Sequence, residues 1–319
     1  MSLFVPKERI AVFRGGDPSM HRRSLEHGAI VLDVLEASTR YQPLDIVITP
    51  NGEWLHAGYI MSPEKLFAHI DGVYNAALGS AGEDGSLARY CERFGVKQQA
   101  APSHAAHMTW QKHLAIDRLR QAGYTTPPRV MVRAESAGDL TTLAVRLTET
   151  FGNSFVVKPS ASTQRTAVKK ADSVTALVDA ITDVLATHSQ CIVEAYIPGQ
   201  PVTVTSVPGL RGSALYHTPI MTWTEDFFTS EEATETLVPA ALPQQTKAEL
   251  FAMLDYVYHI LELRGAVKTD LVVTPDGTFN FLEVNSLSSF APAATMTQML
   301  ESVGIQPDEC IDTELRVVR

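Results

Sequence analysis

Cysteine is scarce in this sequence. Cys91, Cys191 and Cys310 are odd in number and far apart, which supports neither a disulfide framework nor a zinc site and suits buried small hydrophobes. Long basic runs are missing too, and the formal net charge is -10, which argues against the electrostatic footprint of a nucleic-acid binder. An anionic ligand would need local positive groups against that field. No apolar stretch reaches the about 20 residues that a membrane span needs. Residues 1–9 lack the charged-then-apolar layout of a secretory signal, so the expected location is the cytoplasm. No Gly-x-Ser-x-Gly elbow occurs, which removes the support for Ser-His-Asp hydrolase chemistry. His104, His107 and His113 bring no acidic ligands at zinc-type intervals and read as surface or structural groups.

What is present describes an ordinary globular chain. Over 319 positions, 45% of residues are hydrophobic and 19% charged, enough for two or three domains with real cores. The most informative stretch is Gly265–Asn285. Ala266–Thr274 alternates and is rich in Val and Leu, Asp276-Gly277 favours a two-residue type I′ turn, and Thr278–Val284 reads as the return strand. With that loop, Pro275 sits opposite Thr278 and Asp270 opposite Glu283. Carboxylates facing each other across a ladder repel. Asn285, two residues on, falls on the same face. Two carboxylates and an amide oxygen on one face suit Mg²⁺ held with waters and nucleotide phosphates. The alternative is that both acids face water, and a bulge would shift the register.

Taken in order, Arg9–Phe13 is an apolar strand ending at Gly15-Gly16, followed by a helical pattern over Ser24–Ser38. Strand, glycine turn and helix open a parallel α/β unit. The Gly-Gly turn either brings backbone N–H groups to a ligand or is a plain tight turn. Ile46–Thr49 and Gly72–Ala77 read as further strands. The glycine-rich Leu78–Gly85 either lines a ligand crevice at a strand end or caps the helix Ser86–Phe94, with Asp84 or Ser86 as the N-cap. A long helix is expected over His104–Ala122, with Lys112 near its middle. Pro127–Arg133 opens a second region, in which strand Ser154–Val157 runs into Lys158-Pro159, a lysine placed to reach a bound phosphate. Strands at Gln190–Ala195, Val202–Val207 and Ser213–Ile220 follow, the last two starting a meander. Thr222–Glu235 reads as a loop or lid, and Gln245–Leu263 as an amphipathic helix.

The order of these pieces resembles the D-alanine–D-alanine ligases of the ATP-grasp superfamily over almost the whole chain. Arg14–Gly28 is similar to the family's first glycine turn and Ser-Leu-x-x-Gly helix start. Tyr74–Gly85 is similar to its Gly-Glu-Asp-Gly loop, here Gly82-Glu83-Asp84-Gly85. The resemblance places the two nucleotide-binding lysines on Lys112 and Lys158. It makes Ile192–Gly199 the hinge against adenine, with Glu194, Tyr196, Ile197 and Leu282 as nucleotide contacts, and assigns Asp270, Glu283 and Asn285 to metal. Catalytic or substrate-binding roles fall on Ser24, Arg165 and Lys268. The implied fold is a three-domain α/β ATP-grasp architecture. It has a parallel N-terminal domain over residues 1–101, a small central α+β subdomain over 102–197, and an antiparallel-sheet α+β C-terminal subdomain over 198–319. The implied reaction joins a carboxylate to an amine through an acyl phosphate, using ATP and Mg²⁺ or Mn²⁺, in two ions. Small-molecule amino-acid substrates and a homodimer are implied, with no nucleic-acid or membrane partner.

The departures from the family concentrate on substrate and γ-phosphate. The loop after Lys158-Pro159 runs Ser160 to Ala167 without glycine, so backbone N–H groups approach a phosphate less easily. Arg165, with Lys169 and Lys170, either supplies charge there or forms a surface strand edge. The glutamate expected to hold the first substrate's ammonium aligns with Met20, and the loop histidine with Leu78. The carboxylate-gripping arginine aligns with Lys268, which keeps charge but loses the bidentate fork. The lid's lysine-tyrosine pair falls on Phe228 and Thr229, and the hinge lysine and ribose-binding acid on Ala195 and Pro201. The main expectation is therefore an ATP-dependent ligase with an altered amino-acid pocket. The alternatives are a genuine D-alanyl-D-alanine ligase of cell-wall (peptidoglycan) synthesis and a degenerate nucleotide-binding homologue.

Overall fold

The computed structural model describes residues 6–136, 138–162, 167–223, 236–292 and 294–317. Among them the strands form three sheets that follow one another along the chain. The first contains β1 (Glu8–Gly15), β2 (Tyr41–Ile48), β3 (Trp54–His56), β4 (Tyr59–Ile60), β5 (Gly72–Asn75) and β6 (Lys97–Gln98), in the order β4-β3-β2-β1-β5-β6. Its centre is parallel, β1 lying between β2 and β5. The apolar run Ile10–Phe13 is fully buried there, as a parallel strand covered on both faces must be. Helices α1 (His21–Ala37), α2 (Pro63–Phe67), α3 (Ser80–Glu83) and α4 (Ser86–Phe94) connect and cover it. The β3–β4 hairpin was not expected from the sequence.

Two helices follow where one was expected. α5 (Ser103–Trp110) and α6 (Lys112–Gln121) are separated at Gln111, whose φ and ψ of −83° and 83° are not helical. The break frees the Lys112 amide to donate to the Ser160 carbonyl at 2.9 Å, so Lys112 opens α6 rather than sitting mid-helix.

The second sheet is antiparallel, with β7 (Arg129–Arg133), β8 (Phe155–Pro159), β9 (Lys169–Ala171) and β10 (Gln190–Ala195) ordered β7-β10-β8-β9. It packs on α7 (Leu140–Phe151) and α8 (Val174–Leu185). Side chains start both helices: Asp139 accepts from the Thr141 and Thr142 N–H groups, and Ser173 from that of Ala176.

The third sheet holds β11 (Gln200–Pro208), β12 (Leu215–His217), β13 (Met221–Trp223), β14 (Thr236–Leu237), β15 (Val267–Val273) and β16 (Phe279–Asn285). One path runs β14-β13-β11-β15-β16, with β12 also on β11 and all pairs antiparallel. Helix α9 (Gln244–Ile260) packs against Val202, Val204, Leu271 and Phe281 of this sheet, and residues of α5 and α6 join the same core. The last helices, α10 (Thr295–Glu301) and α11 (Pro307–Val317), pack back onto α1 and the first sheet. No helix among the described residues is long and apolar enough to cross a membrane. The three cysteines are buried and free. Burial pushes the Cys91 and Cys191 thiols up to about 12 and about 11, so they act as apolar filler.

Candidate active site

The β15–β16 hairpin pairs Asp270 with Glu283, as the sequence predicts, but by a different route. The loop has three residues, Pro275, Asp276 and Gly277. The Gly277 N–H donates to the Thr274 carbonyl at 2.8 Å, and Thr274 pairs with Thr278. Gly277 has φ +84°, the left-handed residue that closes a three-residue hairpin. This moves the register by one at the turn, so that Val273 faces Phe279 and Leu271 faces Phe281. A bulge at Leu282 then restores the pairing beyond it, setting Asp270 against Glu283 and Lys268 against Asn285.

The bulge has a chemical consequence. The Leu282 carbonyl, turned out of the regular ladder, accepts from the Lys158 Nζ at 3.1 Å. Lys158 also pairs with Glu194 at 2.8 Å, both side chains being almost fully buried. Lys158 ends β8 and Glu194 lies on the neighbouring β10, so one ammonium ties the second sheet to the third.

Neither acid of the hairpin is left to water alone; each is half-buried and paired with a lysine. Glu283 accepts from the Lys112 Nζ at 2.5 Å. Asp270 accepts from the Lys268 Nζ at 2.7 Å and the Thr203 hydroxyl at 2.6 Å. Burial alone would push the Glu283 carboxyl up, but Lys112, Lys268 and Lys158 outweigh it and hold it down at about 2. The repulsion between facing carboxylates is thus offset by a ring of ammonium groups. Glu83 also lies in this electrostatic neighbourhood, supplied by the first sheet's glycine loop. It is buried and accepts from the Gly79 N–H at 2.7 Å. Burial pushes it up to about 7, against the pull of Gly79 and Lys112.

Asp270, Glu283 and Asn285 together offer hard oxygen donors on one face. No set of three or more His, Cys, Asp or Glu side chains arranged to hold a metal occurs among the described residues. Two carboxylates and an amide oxygen fit an ion that keeps water or takes phosphate oxygens, as Mg²⁺ does. Above this face opens a cleft between the second and third sheets. Lys158, Glu194, Tyr196, Ile197, Asp270 and Glu283 line it, and Leu282 borders it. Its walls carry apolar groups from Val156, Val168 and Val272, a lining suited to a partly apolar ligand end. Lys170 stacks over the Tyr196 ring at 4.4 Å, which fixes that aromatic wall.

Other expected residues fall elsewhere. Ser24 is fully buried, and its hydroxyl accepts from the Gly15 and Leu78 N–H groups and donates to the Ala76 carbonyl. It holds two loops together, and its hydroxyl is engaged within the fold. The Gly15-Gly16 turn is likewise a tight turn, since the Gly16 N–H is bonded to the Ile48 carbonyl. Arg165, Phe228 and Thr229 lie outside the described residues, as do residues 224–235 of the expected lid. Lys169 pairs at the surface with Asp183. Met20 and Leu78 pack with Ala100 and Leu287 in a small buried apolar cluster, beside Gly79 of the Glu83 loop.

Sequence reading missed Thr203 and gave Glu83 no role of its own. Thr203 was detectable in principle, because Thr203 and Thr205 alternate with Val202 and Val204 and must share the face opposite the core.

Comparison with known proteins identifies the family and the fold. The family model described as D-ala D-ala ligase C-terminus matches residues 119–315. A D-alanine–D-alanine ligase of Actinobacillus pleuropneumoniae is 26% identical over 318 residues, covering 98% of this chain and 99% of the relative. Among solved structures, the VanG D-Ala:D-Ser ligase of Enterococcus faecalis superimposes with a TM-score of 0.83 at 18% identity, over 98% of this chain and all of that one. A D-alanine–D-alanine ligase of Bacillus anthracis complexed with ATP gives 0.75 at 22%, over 97% and 98%. The resemblance carried by the sequence motifs is borne out, and the chain belongs to the D-alanine–D-alanine ligase family, ATP-dependent ligases on the ATP-grasp fold.

Proposed function

We propose that the protein is an ATP-dependent carboxylate–amine ligase whose first amino-acid pocket is apolar. The observations that carry this are the Asp270–Glu283 pair, ringed by Lys112, Lys158 and Lys268, and the Met20–Leu78–Ala100–Leu287 cluster, whose Leu78 adjoins the Gly79 that holds Glu83 in the same electrostatic neighbourhood. The chain divides functionally into residues 1–101, 102–197 and 198–319, with α5 and α6 reaching the third sheet's core. Glu194, Tyr196, Ile197 and Leu282 hold the nucleotide base. Lys112 and Lys158 neutralise its phosphates.

Asp270, Glu283 and Asn285 would hold Mg²⁺, in two ions, which when bound screens the triphosphate and draws charge from the transferring phosphoryl group. The substrate carboxylate attacks the γ-phosphorus, the bond to the ADP oxygen breaks, and an acyl phosphate forms. The second substrate's amine then attacks the acyl carbon, phosphate leaves, and the nitrogen gives up a proton. Lys268 holds the second substrate's carboxylate. The protein's part is positioning and charge, which carry most of phosphoryl transfer.

A phosphate-release screen over pairs of D- and L-amino acids with Mg²⁺-ATP tests this reading. Release is expected to be stronger with a larger apolar first substrate than with alanine. Nucleotide binding without release for every pair would overturn it.

A further inference from the structure

Two rungs of polar side chains cross the third sheet on its active face. One rung is Thr203–Asp270–Glu283 and the next is Thr205–Lys268–Asn285, each set by direct pairing of β11 with β15 and β15 with β16. Directly opposed residues share a face with their β-carbons about 5 Å apart. In the first rung the threonine hydroxyl is used, donating to Asp270. In the second, the Thr205 hydroxyl has no partner among the described residues, although the residue is completely buried. A buried hydroxyl without a partner is costly to keep. Its neighbour Lys268 has three donors, one of which goes to Asp270.

We propose that Thr205 is a specificity-determining residue, and that the Thr205 hydroxyl and the Lys268 ammonium together grip one carboxylate oxygen of the amine substrate. This deepens the reading above and rests on it. The chemistry is selective because an ammonium beside a hydroxyl favours an anionic oxygen, whereas a carboxamide offers the pair only a neutral carbonyl oxygen or an N–H₂ group that meets the ammonium's donors with a donor. Thr205 has no exposed surface and the Lys268 side chain keeps 18%. In this proposal Lys268, the register partner of Thr205, shifts to admit the anion, and the two groups act as one grip. The site selects amino acids with a free carboxylate over their carboxamides.

The test measures dissociation constants by calorimetry for D- and L-alanine, serine and leucine and for their carboxamides. Wild type, Thr205→Val and Thr205→Ser are each saturated with Mg²⁺ and a non-hydrolysable ATP analogue. At least one acid should bind wild type about tenfold or more tighter than its amide. Thr205→Val, which keeps the shape and removes the hydroxyl, should close that gap while Thr205→Ser keeps it, with nucleotide affinity equal in all three. A gap unchanged in Thr205→Val, or absent from wild type for every pair, overturns the proposal. A gap that behaves as expected in a protein that never releases phosphate sinks the ligase reading and leaves the carboxylate grip standing.

Discussion

At the scale of single residues, the site is a problem in charge balance. Glu283 is held ionised by three lysines, and Lys112, only 7% exposed, has Glu283 as its hydrogen-bonded counter-ion. Replacing Glu283 by glutamine keeps the shape and removes the charge. Breaking a fully buried pair costs about 3–5 kcal/mol. Glu283 keeps 22% of its side-chain surface in water, so a loss of about 1–3 kcal/mol is expected, with the fold intact by circular dichroism. ATP-dependent phosphate release should fall far more, by about 10²-fold or greater, because the preorganised charge that faces the transferring group is gone. A variant that melts early yet turns over normally would remove Glu283 from the machinery. The pairing of Glu283 with Asp270 was legible in the sequence because residue type and hairpin spacing carry chemistry, whereas Lys112 came forward only through the family resemblance. Ser24 marks the limit of such reading: a motif gives a residue's identity but not whether its hydroxyl is already engaged within the fold.

At the scale of elements, the loop that presents Glu83 depends on one glycine. A β-carbon on Gly82 would lie 1.9 Å from the Ala77 carbonyl oxygen, and the Gly82 carbonyl is itself held by the Asn75 side chain at 2.9 Å. Backbone meets backbone, so neither side can yield cheaply. Gly82→Ala should displace α3, withdraw Glu83 and stop phosphate release. Gly52→Ala is the control: its φ is +85° but nothing lies within 4 Å of the added carbon. It should cost only the about 1 kcal/mol of a left-handed alanine and leave activity unchanged. Urea melts with a phosphate assay separate the two, and equal behaviour would show that the loop tolerates a side chain. Elements with a strong period, such as α9 and the apolar core of β1, were readable from sequence. The hairpin was right in its pairing and wrong in its loop, because Asp-Gly signals a turn without fixing its length and Leu282 carries no signal of being bulged. The break at Gln111 was invisible because the partner it serves, the carbonyl of Ser160, lies just beyond a strand far along the chain.

At the scale of the whole molecule, the chain's last helix returns to its first sheet and ties it to the strand that carries part of the site. Glu314 on α11 accepts from the Tyr74 hydroxyl of β5 at 2.6 Å and from the Ala266 N–H just before β15 at 3.0 Å. That contact sets the sheet carrying the Glu83 loop against the strand carrying Lys268 and Asp270, and nothing local in the tail's sequence announces it. Burial pushes the Glu314 carboxyl up to about 7, although both donors pull the other way. The unfolded chain releases this proton near 4.3. Between those values the folded state binds more protons than the unfolded one. The contribution to stability is therefore complete below about pH 4, and it is lost as pH rises through about 7. Glu314→Gln keeps an acceptor for the Ala266 N–H and has no proton to lose. Unfolding free energies from urea melts at a series of pH values should show wild type losing ground to the variant between pH 5 and 8, by up to about 3 kcal/mol. His27, fully buried and pushed down to about 4 by that burial, titrates alike in both proteins and cancels in the difference. Parallel curves across that range would mean that Glu314 stays ionised, and that the joint between first sheet and last helix is a buried charge held by its two donors.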